Sequence, residues 1–179
     1  MSPLEIEIVA FIAGAFLLYW PYVWCWYRKE SLDSYGLVWN FNKKDTVQTI
    51  ILSVVLLALL TPISIIWPGS NAPHMRSFEF VLKMGASGLA AAVIEETFFR
   101  GWLQTLFRRR FSAIPSIIMV NMIFAPIHLI AHPNPMSLLT FFPGLVMGAL
   151  REKYNNIFPA MIFHLLGNLW AIWFYPSAF

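Results

Sequence analysis

Long apolar runs alternate with short charged ones along this chain, and the length of the runs sets the elements. A bilayer-crossing helix needs about 20 mostly apolar residues. On that measure the sequence predicts helices near residues 5–27, 46–66, 77–107, 112–131, 136–151 and 157–175. The fifth is short and carries Pro143, and the third is long enough to project beyond the bilayer or to break. Between the first two spans, Leu32, Tyr35, Leu37, Trp39 and Phe41 stand among polar residues from Glu30 to Asp45. That pattern predicts a segment lying along the membrane interface.

The basic residues sort by loop. Arg28, Lys29, Lys43 and Lys44 separate spans one and two, Arg108, Arg109 and Arg110 follow span three, and Arg151 and Lys153 lie between spans five and six. The alternate side has Arg76 before span three and no Lys or Arg from His132 to Met136. The positive-inside rule then places both termini outside. Glu5 and Glu7 near the start, with no small-residue cleavage site after them, predict a retained helix rather than a signal peptide.

Composition agrees with the pattern. The chain is 59% hydrophobic and 12% charged, with mean hydropathy +0.65, where soluble domains are nearer half apolar and a quarter charged. These values predict an all-α polytopic membrane protein, one transmembrane domain over residues 1–179. The net charge of +3 is spread over short loops and is no nucleic-acid signal. The single cysteine, Cys25, excludes an internal disulfide and reads as a small buried apolar residue.

Charge inside the third span changes the picture. Glu95, Glu96 and Arg100 interrupt an otherwise apolar run, and each charge at bilayer depth costs on the order of 3 kcal/mol. At 100° per residue Glu96 and Arg100 lie about 40° apart on one face and can pair. Glu95 points about 100° away, which leaves its carboxylate free to face a cavity. In a low-dielectric site beside a second carboxylate it is the nominated general base, with Glu96 and Arg100 as its support. Span four carries Phe124 and His128 one turn apart around Pro126, and span six carries His164 and Asn168 one turn apart. An imidazole and an amide at that spacing can hold an anion or a polarised carbonyl.

Structural alternatives exist for each member. Gly144 and Gly148 on span five, and Gly85, Gly88 and Ala92 on span three, read as close helix packing. Phe124 reads as packing, because a phenyl ring has no acid–base role. Arg100 reads equally well as a neutralising partner of Glu96. His132 reads as interfacial, and His74, beside Pro73, carries no functional signal. Five ionisable residues on three apolar helices, taken together, nonetheless predict a reaction centre inside the bundle.

The ordered set Glu95-Glu96-x-x-x-Arg100, Phe124-x-x-x-His128 and His164-x-x-x-Asn168 resembles the three motifs of the CPBP family, the CAAX proteases and bacteriocin-processing enzymes also called Abi. The likeness runs from about Ser87 to Trp170, within a motif-bearing core of about 77–175. It implies a glutamate-dependent intramembrane protease needing no cofactor. Glu95 and His128 would activate water, His164 and Asn168 would stabilise the oxyanion, and Glu96 and Arg100 would hold the site's shape. It implies a small or lipid-associated protein or peptide substrate entering from the membrane, cut near its C-terminus or membrane segment. The short chain resembles the small prokaryotic members, which implies a prokaryotic cytoplasmic membrane. Two other classes compete: a zinc metalloprotease using Glu95, Glu96, His128 and His164 as ligands, and a non-enzymatic immunity, scaffold or carrier protein. No H-E-x-x-H is present, and no inverted repeat supports a carrier.

Overall fold

The computed structural model describes residues 2–38, 41–68, 70–131 and 133–175. Two residues named above, Trp39 and His132, lie outside the described residues. Every regular element among the described residues is helical: α1 (Pro3–Arg28), α2 (Lys43–Ile66), α3 (Phe78–Glu96), α4 (Gln104–Arg108), α5 (Ala113–Ala131), α6 (Phe141–Tyr154) and α7 (Phe158–Phe174). A π-helical stretch, Thr97–Leu103, joins α3 to α4 without a break, so the described residues form six helical rods. This is the polytopic all-α architecture the pattern predicts.

The ends follow local chemistry. Ser2 and Glu5 close a capping box at the start of α1, and Lys29, in the left-handed region, ends it. Asn42 and Ser77 supply side-chain acceptors for the free N–H groups that open α2 and α3. At the other end of the bundle the backbone N–H of His74 donates to the Trp173 carbonyl (2.8 Å) and Arg76 Nε to that of Ile172 (3.4 Å). The residue with no functional signal therefore helps satisfy the last-turn carbonyls of α7.

Glu7–Arg28 of α1, and the whole of α2 and α5, are apolar over lengths that cross a membrane. Much of α1 and α2 faces outward, with Phe11 and Ile66 each 78% exposed. In α3 the site's own charges interrupt the apolar run. The 14 residues of α6 reach about 21 Å at 1.5 Å per residue, less than a hydrocarbon core of about 30 Å. A 3₁₀ stretch, Pro135–Thr140, precedes α6 and extends its reach. α7 is central, packed on α2, α3 and α6, and its Trp170 Nε1 donates to Thr61 of α2 (2.9 Å).

The segment after α1 departs from expectation. Its short 3₁₀ helix, Leu32–Tyr35, does not simply lie on the membrane surface: Tyr35 and Leu37 are buried beside Cys25, Ile157 and Met161. Leu32 and Phe41 remain exposed. Gly36 makes the plug possible. It sits at φ +65°, its carbonyl accepts from Ile157 N (3.1 Å), and a Cβ there would crowd Arg151 and the Asn155 carbonyl.

Candidate active site

The small-residue face of α3 sets how closely α7 approaches. A Cβ on Gly88 would stand 3.0 Å from Asn168 Cβ, and one on Gly85 would stand 3.3 Å from Leu169. Ala92, one turn on, is fully buried. This close approach brings His164 of α7 beside the two glutamates at the end of α3.

Glu96 and Arg100 form the intrahelical pair that wheel geometry predicts, with Nη1 3.2 Å from Oε1 and both side chains fully buried. The same carboxylate oxygen accepts from His164 Nδ1 at 2.8 Å. Arg100 Nη2 donates to Asn121 Oδ1 (3.1 Å) and to the Gly144 carbonyl (3.3 Å), and the guanidinium lies 4.2 Å over the Phe124 ring. A side chain at Gly144 would collide with Asn121 Oδ1. The G-x-x-x-G of α6 is thus packing, as read from sequence. Its bare backbone also accepts from the core, since the Gly148 carbonyl takes a hydrogen bond from Gln104 Nε2 (3.1 Å).

Glu95 faces the other way, as its helical angle predicts. Its Oε2 stands 3.6 Å from His128 Nε2 and 3.9 Å from His164 Nε2, beyond direct hydrogen-bond reach, and has no hydrogen-bond partner. Each imidazole is oriented from behind. His128 Nδ1 meets the Phe124 carbonyl at 3.0 Å, and His164 Nδ1 meets Glu96. Because a carbonyl or a carboxylate only accepts, both rings carry hydrogen on Nδ1 and turn Nε2 toward Glu95. Glu95 and His128 side chains are each 21% exposed, so the centre is reachable from one side while Glu96 and Arg100 are sealed.

Phe124 is more than filler. Its ring contacts His128 (centroids 4.3 Å), His164 (6.4 Å), Phe99 (5.0 Å) and Arg100, so one side chain sets the spacing of both imidazoles and the guanidinium. Asn168 stands apart from the other site residues. Its Nδ2 donates to the Gly88 carbonyl at 3.1 Å, one turn along α7 from His164, which commits one of two amide hydrogens. Among the described residues no group of three or more His, Cys, Asp or Glu side chains is arranged to hold a metal ion.

Sequence reading missed three supporting residues. Asn121 is seven positions before His128 and shares its helix face, a signal that was available. Gln104 continues the four-residue spacing of Glu96 and Arg100, and donates to Glu152 Oε1 (2.8 Å) as well as to Gly148. Arg151, counted above as a loop charge, is 6% exposed and belongs to the core. Its Nε donates to the Arg100 carbonyl (3.2 Å) and its Nη2 to Thr105 Oγ1 (2.9 Å), so its position reports packing as much as topology.

A helical membrane bundle that gathers two glutamates, two imidazoles and a guanidinium between its helices defines the class: a polytopic membrane protein with a polar cluster inside the bundle. Residues 77–170, more than half of the chain, match the Rce1-like family, described as type II CAAX prenyl endopeptidase Rce1-like. The chain belongs to that family, a family of membrane proteases. No curated protein and no solved structure matches it.

Proposed function

We propose that this protein is a glutamate-dependent intramembrane endopeptidase. Glu95 and His128 hold and deprotonate the attacking water, and Asn168 with His164 receives the oxyanion of the tetrahedral intermediate. Glu96, Arg100 and Phe124 fix the shape and charge of the site. The reading rests above all on the partnerless Glu95 Oε2 facing two imidazole nitrogens. Glu96 also has a partnerless Oε2, but its Oε1 is held by Arg100 and His164, as suits a structural carboxylate, whereas Glu95 has no such anchor and an unpaired buried polar atom costs about 1–3 kcal/mol. A water donating to Glu95 and His128 fills that need, and a positioned base contributes about 10² to 10⁴ in rate. The substrate is a peptide reached through the membrane, processed near its C-terminus or membrane segment. Both termini lie outside, in a prokaryotic cytoplasmic membrane.

The test is mass spectrometry of a pool of prenylated and unprenylated C-terminal peptides incubated with the reconstituted protein and with Glu95→Gln. Cleavage by the first and not the second supports the reading, and equal turnover by both rejects it. Activity is expected to survive exhaustive chelation. Loss on chelation with recovery on stoichiometric zinc would instead make Glu95, His128 and His164 metal ligands. Complete inertness toward the pool favours an immunity or scaffold role.

A further inference from the structure

We propose that His164 is the acid that protonates the leaving amine, with Glu96 as its positioning residue and counter-charge. This rests on the protease reading above. The two histidines present the same atom to Glu95 but differ behind it. His128 Nδ1 donates to a neutral backbone carbonyl, whereas His164 Nδ1 donates to Glu96 Oε1, the oxygen that Arg100 also holds. A cation formed on His164 therefore has a carboxylate 2.8 Å from it, fixed by Arg100 and by nothing that has to move. The same cation on His128 has a carbonyl dipole and an aromatic ring behind it. The charge count points the same way. Glu95, Glu96 and Arg100 sum to one negative charge, and one proton added at His164 neutralises the centre.

The tautomer makes this consequential. With hydrogen fixed on Nδ1, neutral His164 has only a lone pair at Nε2, so both its contact with the oxyanion and its proton for the amine wait on protonation there. It becomes a donor once Nε2 gains a proton, and Glu95 Oε2 stands 3.9 Å away. The water oxygen bonds to the scissile carbon, one water proton goes to Glu95, and the carbonyl π pair moves to oxygen. The Glu95 carboxyl then swings across the 3.9 Å that separates it from His164 and passes that proton to Nε2. The oxyanion pair then re-forms the carbonyl as the C–N bond breaks, its electron pair stays on nitrogen, and His164 donates the proton to that nitrogen. The second water hydrogen remains on the new carboxyl group and is lost to solvent, leaving Glu95 ionised and His164 neutral.

An amide nitrogen must be protonated to leave, whereas a phenolate leaves unaided, and the experiment uses that difference. A peptide that the wild-type protein cleaves from the pool is resynthesised with the scissile amide replaced by an aryl ester. His164→Gln keeps an N–H donor but cannot deliver a proton. It is expected to lower amide cleavage by about 10² to 10⁴, the range for a positioned acid, and ester cleavage by less than about tenfold. Glu96→Gln should show the same amide-selective loss, smaller in size. If His164→Gln does not fold, His164→Ala with added imidazole replaces it, and imidazole should restore amide cleavage. Equal losses on amide and ester, or no rescue, overturn the proposal and leave His164 as an oxyanion group. Glu95→Gln should lose both substrates. If it retains both, or if the wild type cleaves nothing, the protease reading itself has failed, and the proposal with it.

Discussion

Two clusters in this molecule are built from the same parts and differ in how completely those parts are used. At one end of the bundle, Arg109 grips Glu30 through two nitrogens (3.2 and 2.6 Å) and reaches the Tyr35 hydroxyl (2.7 Å). Tyr35 donates to Glu30 and accepts from Trp24 Nε1 (2.8 Å). Both carboxylate oxygens are occupied. In the middle of the bundle, a second set of glutamate, arginine and aromatic groups leaves Glu95 Oε2, Glu96 Oε2 and Arg100 Nε buried and partnerless. Burial makes that incompleteness costly, because a low-dielectric interior strengthens satisfied bonds and penalises missing ones alike. The end cluster is a latch that ties the plug after α1 to the end of α4. The central cluster keeps capacity in reserve, which suits the water and peptide of the proposed function.

The two clusters should differ most in rate. Glu95→Gln preserves size and fold and is expected to cost about 10² to 10⁴ in peptide turnover. Glu30→Gln should leave turnover near that of the parent. Turnover measured on both in the same liposomes decides the matter, and a Glu30 effect as large as that of Glu95 would erase the distinction.

The next largest difference is in stability. Arg100 sits fully buried with Glu96, so Arg100→Ala strands a buried carboxylate and should cost about 3–5 kcal/mol, seen as a large drop in unfolding midpoint or yield. An inactive Arg100→Ala protein with parental stability would move Arg100 from support into the chemistry. Gly144→Ala tests the same network from α6. Its new methyl group must displace Asn121 or Arg100, at a cost of about 1–3 kcal/mol for an overpacked core. Full stability in that variant would show that α6 can retreat without disturbing the arginine.

How far the sequence reached follows from which forces act locally. Span lengths, the Glu96–Arg100 pairing and the outward turn of Glu95 are consequences of helical pitch and were legible. Phe124 was underrated because its contacts come from three helices at once. Arg151 was misread for a related reason. A basic residue near a helix end looks like a loop charge until the partner carbonyl of Arg100, 51 positions away, is in view. The π-helical stretch after Glu96 had no signature, since Thr97–Leu103 is as good an α-helical sequence as its neighbours. The Tyr35–Leu37 plug was hidden too, because an amphipathic segment suits a membrane surface as well as a protein end. It takes the latter where Gly101 leaves room for Leu37.

The smallest expected effect belongs to the latch, and it depends on pH. Hydrogen bonds from Arg109 and then Tyr35 hold the Glu30 carboxyl down from 4.5 to about 2. Burial, and then the bond to Glu30, pushes the Tyr35 hydroxyl up from 10 to about 12. The depressed carboxyl stabilises the fold above its unfolded value, and that contribution fades as pH falls from 4.5 toward 2. The raised hydroxyl contributes below pH 10 and fades as pH rises toward 12. The two limbs have different causes, so one substitution separates them. Arg109→Gln removes the leading reason for the acid limb but not the burial that drives the alkaline one. Unfolding midpoints across pH should therefore differ between Arg109→Gln and parent near neutrality and converge as pH drops toward 2. A substantial alkaline loss should persist in both proteins. If the difference between the two proteins stays constant from neutral pH to 2, Glu30 is not held by Arg109 in the folded state and the latch is not the satisfied cluster its geometry describes.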